Sequence, residues 1–225
     1  MVATTVVFDL DGTLVDTAPD LVDALNAVLA REGLSAVPFD VARPMIGGGA
    51  KRLIEGGLAA HGRHSPAEEI NRLYADFVAY YADHIADRSR PFPGLEGALD
   101  DLAQSGCVLT VCTNKLEWLS VRLLNALGLE HRFAAICGQD TFGVQKPDPL
   151  ILRKTIRAGG GVVDRAVMVG DSLTDISTAR AAGVPIIAVD FGYTDAPVSS
   201  FGPDKIIGHF AHLPPLVYGL YHPGV

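Results

Sequence analysis

The sequence predicts an α/β fold: a Rossmann-like parallel sheet core interrupted by an inserted α-helical cap domain. Three observations predict it. Short, apolar, β-branched runs alternate with helical patterns along the C-terminal part of the chain, one isolated run of the same kind stands near the N-terminus, and the segment between them reads as helix throughout. Strands joined through helices require right-handed crossovers and a mainly parallel sheet covered on both faces.

The first run, TTVVF at 4–8, stops at Asp9 and fits a buried strand whose end delivers polar side chains. Over 18–31 the apolar residues Leu21, Val22, Leu25, Val28 and Leu29 recur at helical spacing, and Gly33 falls where such a helix should stop. Pro38, Pro44 and Gly47 to Gly49 break the chain before a second helix over 51–60. Pro66, followed by Glu68 and Glu69, opens a third that runs through Leu73, Phe77 and Tyr80. PFPG at 91–94 reads as a linker. Beyond it, strands are expected at 108–112, 134–138, 166–170, 185–189 and 205–207, with helices over 95–104, 116–127, 149–158 and 173–182. The expected division is a core domain of 1–15 and 91–225 and a helical domain of 16–90.

Composition narrows the function classes. With 225 residues, 48% of them hydrophobic, the chain can bury a substantial core. A formal net charge of -8 offers no broad cationic surface for a nucleic acid or an anionic membrane, so any anionic ligand must be met locally. The three cysteines, Cys107, Cys112 and Cys137, sit in apolar runs without metal-type spacing and read as reduced core thiols. The N-terminal MVATTVVFDLDG lacks the basic flank and apolar length of a signal or membrane segment. A cytoplasmic enzyme, monomer or homodimer, is the expectation.

In open α/β sheets, ligands bind beyond the carboxyl ends of the strands. Polar residues just after the apolar runs are Asp9, Asp11, Gly12 and Thr13; Thr113 and Asn114; Lys146 in QKPDP; and Gly170 to Asp175 in GDSLTD. Asp9, Asp11, Asp171 and Asp175 would crowd four carboxylates into one crevice, where they need a counter-charge. An all-oxygen, hard-ligand set without nearby His or Cys suits Mg2+. Lys146, Thr113 and Asn114 supply a point charge and hydrogen-bond donors for phosphate oxygens, and Gly12 permits close backbone approach. Asp9 is then the expected nucleophile and Asp11 the acid/base of a phosphoryl transfer from a small phosphorylated metabolite.

The four motifs, Asp9 to Thr13, Thr113, Lys146 and Gly170 to Asp175, resemble those of the haloacid dehalogenase superfamily. The helical insertion resembles that superfamily's α-helical cap. DGTLVDT, IGGGAKRLI, KPDP and ARAAGVP resemble its phosphoglycolate phosphatase branch. The resemblance implies hydrolysis of 2-phosphoglycolate to glycolate and phosphate, with Asp9, Asp171 and the backbone carbonyl of Asp11 as Mg2+ ligands. Asp11 also points away from relatives that break carbon–halogen or carbon–phosphorus bonds, which have no alkoxide to protonate. A sugar-phosphate phosphomutase and a non-catalytic ligand sensor are the competing functions.

Each residue also has a plainer role. A DGT after a strand is common turn chemistry, Thr113 and Asn114 suit a helix cap, and Lys146 suits a solvated surface. Lys51 and Arg52 follow the glycine run and are candidates for a substrate carboxylate, although such side chains are usually solvated. His209 and His212 read as exposed helix residues, and Trp118, Phe77, Tyr80 and Tyr81 as packing between helices. Gly159 to Gly161 follows a helix, whereas a dinucleotide loop follows a strand.

Overall fold

A computed structural model of the chain describes residues 2–194 and 196–221. The chain divides into two compact units, Met1–Asp16 with Pro91–Val225, and Thr17–Arg90. The last four residues of the segment expected at 91–225 lie outside the described residues.

The first unit is built on β1 (Thr5–Phe8), β2 (Val108–Cys112), β3 (Ala135–Cys137), β4 (Ala166–Gly170), β5 (Ile186–Val189) and β6 (Lys205–Ile207). Among the described residues these form one six-stranded parallel sheet in the order β3-β2-β1-β4-β5-β6. Val6, Val7, Phe8, Val111, Val167, Met168 and Val169 are fully buried, which is why the central strands read as unbroken apolar runs rather than alternating ones. Val7, Cys112 and Met168 share a core cluster with Ile151, Leu152 and Ile156 of the helix Pro149–Ala158 and Ile176 and Ala179 of the helix Leu173–Ala182. Each buried Val, Leu, Ile or Met side chain among them contributes roughly 1.5–3 kcal/mol by leaving water.

The strand order reverses between β1 and β4, the point at which parallel sheets of this type open a crevice at their carboxyl ends. Phe8 is level with Val111 on one side and Val169 on the other. That register brings the residues just past each strand, Asp9, Thr113 and Asp171, to one rim.

In the second unit, the helices Ala18–Arg31, Ala50–Ala59 and Ala67–Asp83 bury Leu25, Leu29, Leu53, Ile54, Leu58, Leu73, Phe77 and Tyr81. A Cβ on Gly57 would lie 2.7 Å from Leu25 Cδ1, so this glycine lets two helices approach closely. Asp20 is buried and accepts from the Ser89 amide at 2.8 Å and the Ser89 hydroxyl at 2.6 Å, tying the two ends of the unit together.

Several side chains differ from expectation. Trp118 is 46% exposed on its helix instead of packed, because it falls on the face opposite Leu119, Leu123 and Leu124. Cys107 is only half-buried, whereas Cys112 and Cys137 are buried, and all three are free thiols. His209 precedes a short 3-10 turn, Phe210–His212, and its Nδ1 accepts from the Ala211 amide at 3.1 Å. The final helix, Leu213–Tyr221, is absent from the sequence-based expectation. Pro214 and Pro215 hid it, yet both occupy its first turn, where no amide partner is lost. No helix among the described residues is long and apolar enough to cross a membrane.

Candidate active site

Asp9 lies one residue beyond β1, and its amide donates to Val169 O at 2.9 Å, continuing the ladder to β4. The chain then turns tightly: Leu10 O accepts from the amides of Leu14 at 3.0 Å and Val15 at 3.1 Å, while the Gly12 amide donates to Val15 O at 3.0 Å. The amides of Gly12, Leu14 and Val15 thus hold the loop's own shape. What Gly12 provides is conformation and room. Its φ of 80° favours glycine, and a Cβ there would lie 2.6 Å from Asp171 Oδ2 and 2.9 Å from the Tyr193 ring.

Asp171 follows β4 and is held by three neighbours. Thr13 Oγ1 donates to its Oδ1 at 3.1 Å, the Tyr193 amide donates to its Oδ2 at 2.7 Å, and Gly192 lies so close that a Cβ would collide with the carboxylate. The Tyr193 hydroxyl also donates to Asp16 Oδ1 at 2.6 Å. One residue therefore ties the loop after β5 to both ends of this rim.

The sequence SLTD within GDSLTD starts a helix by a capping box between Ser172 and Asp175. Asp175 Oδ2 accepts from the Ser172 amide at 3.0 Å and the Ser172 hydroxyl at 2.6 Å. Its Oδ1 accepts from Lys146 Nζ at 2.6 Å, and Lys146 Nζ reaches Asp9 Oδ1 at 2.8 Å. Lys146 is 3% exposed, so the plainer role of a solvated lysine does not apply. Asn114 fixes its backbone: Asn114 Oδ1 accepts from the Lys146 amide at 2.8 Å and Nδ2 donates to the Lys146 carbonyl at 3.0 Å.

Oxygens of Asp9, Asp171 and Asp175 lie within 4.8 Å of one another, all three residues being buried. Burial, with the Asp175 charge adding to it, raises Asp9 to about 7. Burial, followed by Asp175 and Asp9, raises Asp171 to about 8. Burial works against the charge on Lys146, but Asp175 and Asp9 outweigh it and hold the ammonium above its usual range. One lysine against three carboxylates leaves an excess of negative charge in a hard, all-oxygen donor set. A divalent cation fits that set.

The other expected site residues fall as follows. Asp11 is outside the three-carboxylate cluster; its side chain is bridged by Lys115 Nζ, at 2.8 Å to Oδ1 and 3.1 Å to Oδ2. Thr113 is 2% exposed and its Oγ1 accepts from the Lys115 amide at 3.1 Å. Neither Thr113 nor Asn114 caps the following helix, Glu117–Ala126, whose N-cap is Leu116 without a side-chain bond. Lys51 belongs to the helical unit, where Nζ donates to Asn71 Oδ1 at 2.7 Å and lies over the Tyr74 ring. Sequence reasoning missed Lys115, Gly192 and Tyr193. The strand-end rule applied to PIIAV would have reached the last two, and Lys115 directly follows the Thr113–Asn114 pair.

Fold and site together define an α/β enzyme with a buried carboxylate cluster bridged by lysine. The chain belongs to the haloacid dehalogenase-like hydrolases, whose family model matches residues 6–189. Within that family it is a phosphoglycolate phosphatase-like phosphoric monoester hydrolase. It is 51% identical over 205 residues to the phosphoglycolate phosphatase of Mesorhizobium japonicum, covering 91% of this chain and 90% of that one. It is 50% identical over 210 residues to the phosphoglycolate phosphatase of Caulobacter vibrioides, covering 93% and 89%. Among solved structures, a predicted phosphoglycolate phosphatase from Haemophilus somnus superposes with a TM-score of 0.87 at 27% identity, over 95% of this chain and 97% of the other.

Proposed function

We propose that this chain is a cytoplasmic, Mg2+-dependent phosphatase that hydrolyses 2-phosphoglycolate to glycolate and phosphate through an aspartyl-phosphate on Asp9. The observation that carries the chemistry is the buried chain Asp9–Lys146–Asp175 beside Asp171. The substrate rests on the names of the relatives at 51% and 50% identity. In this proposal the core domain, 1–15 and 91–225, performs the chemistry, and the helical domain, 16–90, selects the substrate.

Asp9, Asp171 and the backbone carbonyl of Asp11 would hold the Mg2+. Asp175, whose oxygens accept from Lys146 and Ser172, orients Lys146 and adds negative field at the edge of the same carboxylate cluster. When bound, Mg2+ neutralises the carboxylate excess and lets Asp9 and the phosphate share one site.

Asp11, which takes up a proton before the step, gives it to the departing glycolate oxygen as Asp9 attacks the phosphorus in line. Asp11 then takes a proton from the water that cleaves the acyl-phosphate, returning Asp9 to its starting state. Lys146 and the Thr113 hydroxyl stabilise charge on the phosphate oxygens, and Asn114 holds Lys146 for that purpose.

The test is a comparison of kcat/KM for 2-phosphoglycolate against a panel of small phosphomonoesters that includes a hexose 1-phosphate, with Mg2+ and free phosphate as the readout. The expected result is preferred hydrolysis of 2-phosphoglycolate. Accumulation of an isomerised sugar phosphate without free phosphate would replace this function with a phosphomutase, and tight binding without turnover would replace it with a sensor.

A further inference from the structure

Lys115 has no part in the mechanism above, yet it is built into the site. Its side chain is 6% exposed and chelates both oxygens of Asp11. Its backbone is fixed at several points: its amide donates to Thr113 Oγ1 at 3.1 Å, its carbonyl accepts from the Gln139 amide at 3.1 Å, and a Cβ on Gly138 would lie 2.5 Å from that carbonyl. An exposed lysine–aspartate pair contributes little. A lysine this buried has lost its water and must be matched by a charge, so the geometry of the pair is strongly favoured. Lys146 touches Asp9 and Asp175, while Lys115 touches Asp11. Each of the two aspartates assigned to the chemistry therefore has its own lysine.

We propose that Lys115 is a positioning residue for Asp11. It fixes the rotation and placement of that carboxylate relative to the leaving-group oxygen and acts through Asp11 rather than by touching the phosphate. The proposal rests on Asp11 being the acid/base. A carboxylate held at two oxygens cannot swing toward Lys146 or away from the crevice, and a displacement of about 1 Å in such a group can cost on the order of 100-fold in rate.

A double-mutant cycle on the full chain tests this, with folding verified by thermal unfolding: Lys115→Met, Asp11→Asn, both together, and Lys115→Arg. With Mg2+ and 2-phosphoglycolate, Lys115→Met should lower kcat by about 10- to 100-fold while KM stays within about threefold. Lys115→Arg should restore most of the loss, and Lys115→Met should cost nothing further in the Asp11→Asn background. The same proteins are read in first-turnover release of p-nitrophenol from p-nitrophenyl phosphate, whose leaving group needs no proton. There Lys115→Met should stay near the unsubstituted rate, with Asp11→Asn run beside it as the reference for loss of the acid. An undiminished loss in the Asp11→Asn background, a rise in KM alone, or a large loss of p-nitrophenol release in Lys115→Met only would overturn the proposal. Full turnover of 2-phosphoglycolate by Asp11→Asn is a different result: it would remove the acid/base assignment itself.

Discussion

Asn114 holds Lys146 by both ends of its amide, accepting from the Lys146 backbone N–H at 2.8 Å and donating to its carbonyl at 3.0 Å. The side chain expected to meet phosphate instead fixes the main chain of the lysine that faces Asp9 and Asp175. Asn114→Ala leaves both backbone groups without these partners. It should lower stability by about 1–2 kcal/mol and kcat by about 10-fold or more. Urea unfolding and steady-state kinetics check this, and an unchanged kcat would place Lys146 under some other control.

Gly12 and Asp171 make a second such pair, related by the absence of a side chain. With φ at 80° and a hypothetical Cβ 2.6 Å from Asp171 Oδ2, Gly12→Ala strains its own backbone and displaces the carboxylate. A cost of about 1–2 kcal/mol in stability is expected from the backbone alone. Activity should require about 10-fold more Mg2+ or beyond, measured by titrating the metal at saturating substrate. An unchanged Mg2+ requirement would mean that Asp171 is not a ligand.

The raised carboxylates give a pH dependence with a definite sign. Burial, with the neighbouring carboxylates, puts Asp9 at about 7 and Asp171 at about 8, while an unfolded chain would titrate both near 4. Between those limits the metal-free folded protein keeps protons that the unfolded chain has released. The contribution of these groups is fully present below about 4 and is lost as pH rises through 7 and 8. Mg2+ must displace the same protons to bind. The rise in Tm on replacing EDTA with Mg2+ should therefore be larger at pH 8 than at pH 6; an equal or smaller rise at pH 8 contradicts a metal held by Asp9 and Asp171.

Much of this architecture is legible in the chain. The central strands are apolar on both faces, so TTVVF, VLTVC and AVMVG stand out as runs, and Gly33, Pro66 and Pro149 mark helix boundaries by their backbone chemistry. Asp9, Lys146, Asp171 and Asp175 are brought together as the sequence expects, because strand ends in a parallel sheet share one rim. Lys115 is not expected there, because nothing in the sequence says that a lysine will turn inward toward Asp11 rather than out to water. The direction in which the Asn114 amide points is likewise fixed by the loop that carries Lys146, 32 residues away. Trp118 shows the reverse: an aromatic residue in a helical pattern, left 46% exposed by its position on the outer face.

The central claim is that Asp9 carries the phosphoryl group. Its most direct test is phosphate release from 2-phosphoglycolate with saturating Mg2+, measured side by side for the unsubstituted protein and Asp9→Asn, with thermal unfolding to show that both are folded. The expected result is steady turnover by the former and a fall of at least about 1,000-fold in the latter; comparable turnover by the two proteins would contradict it.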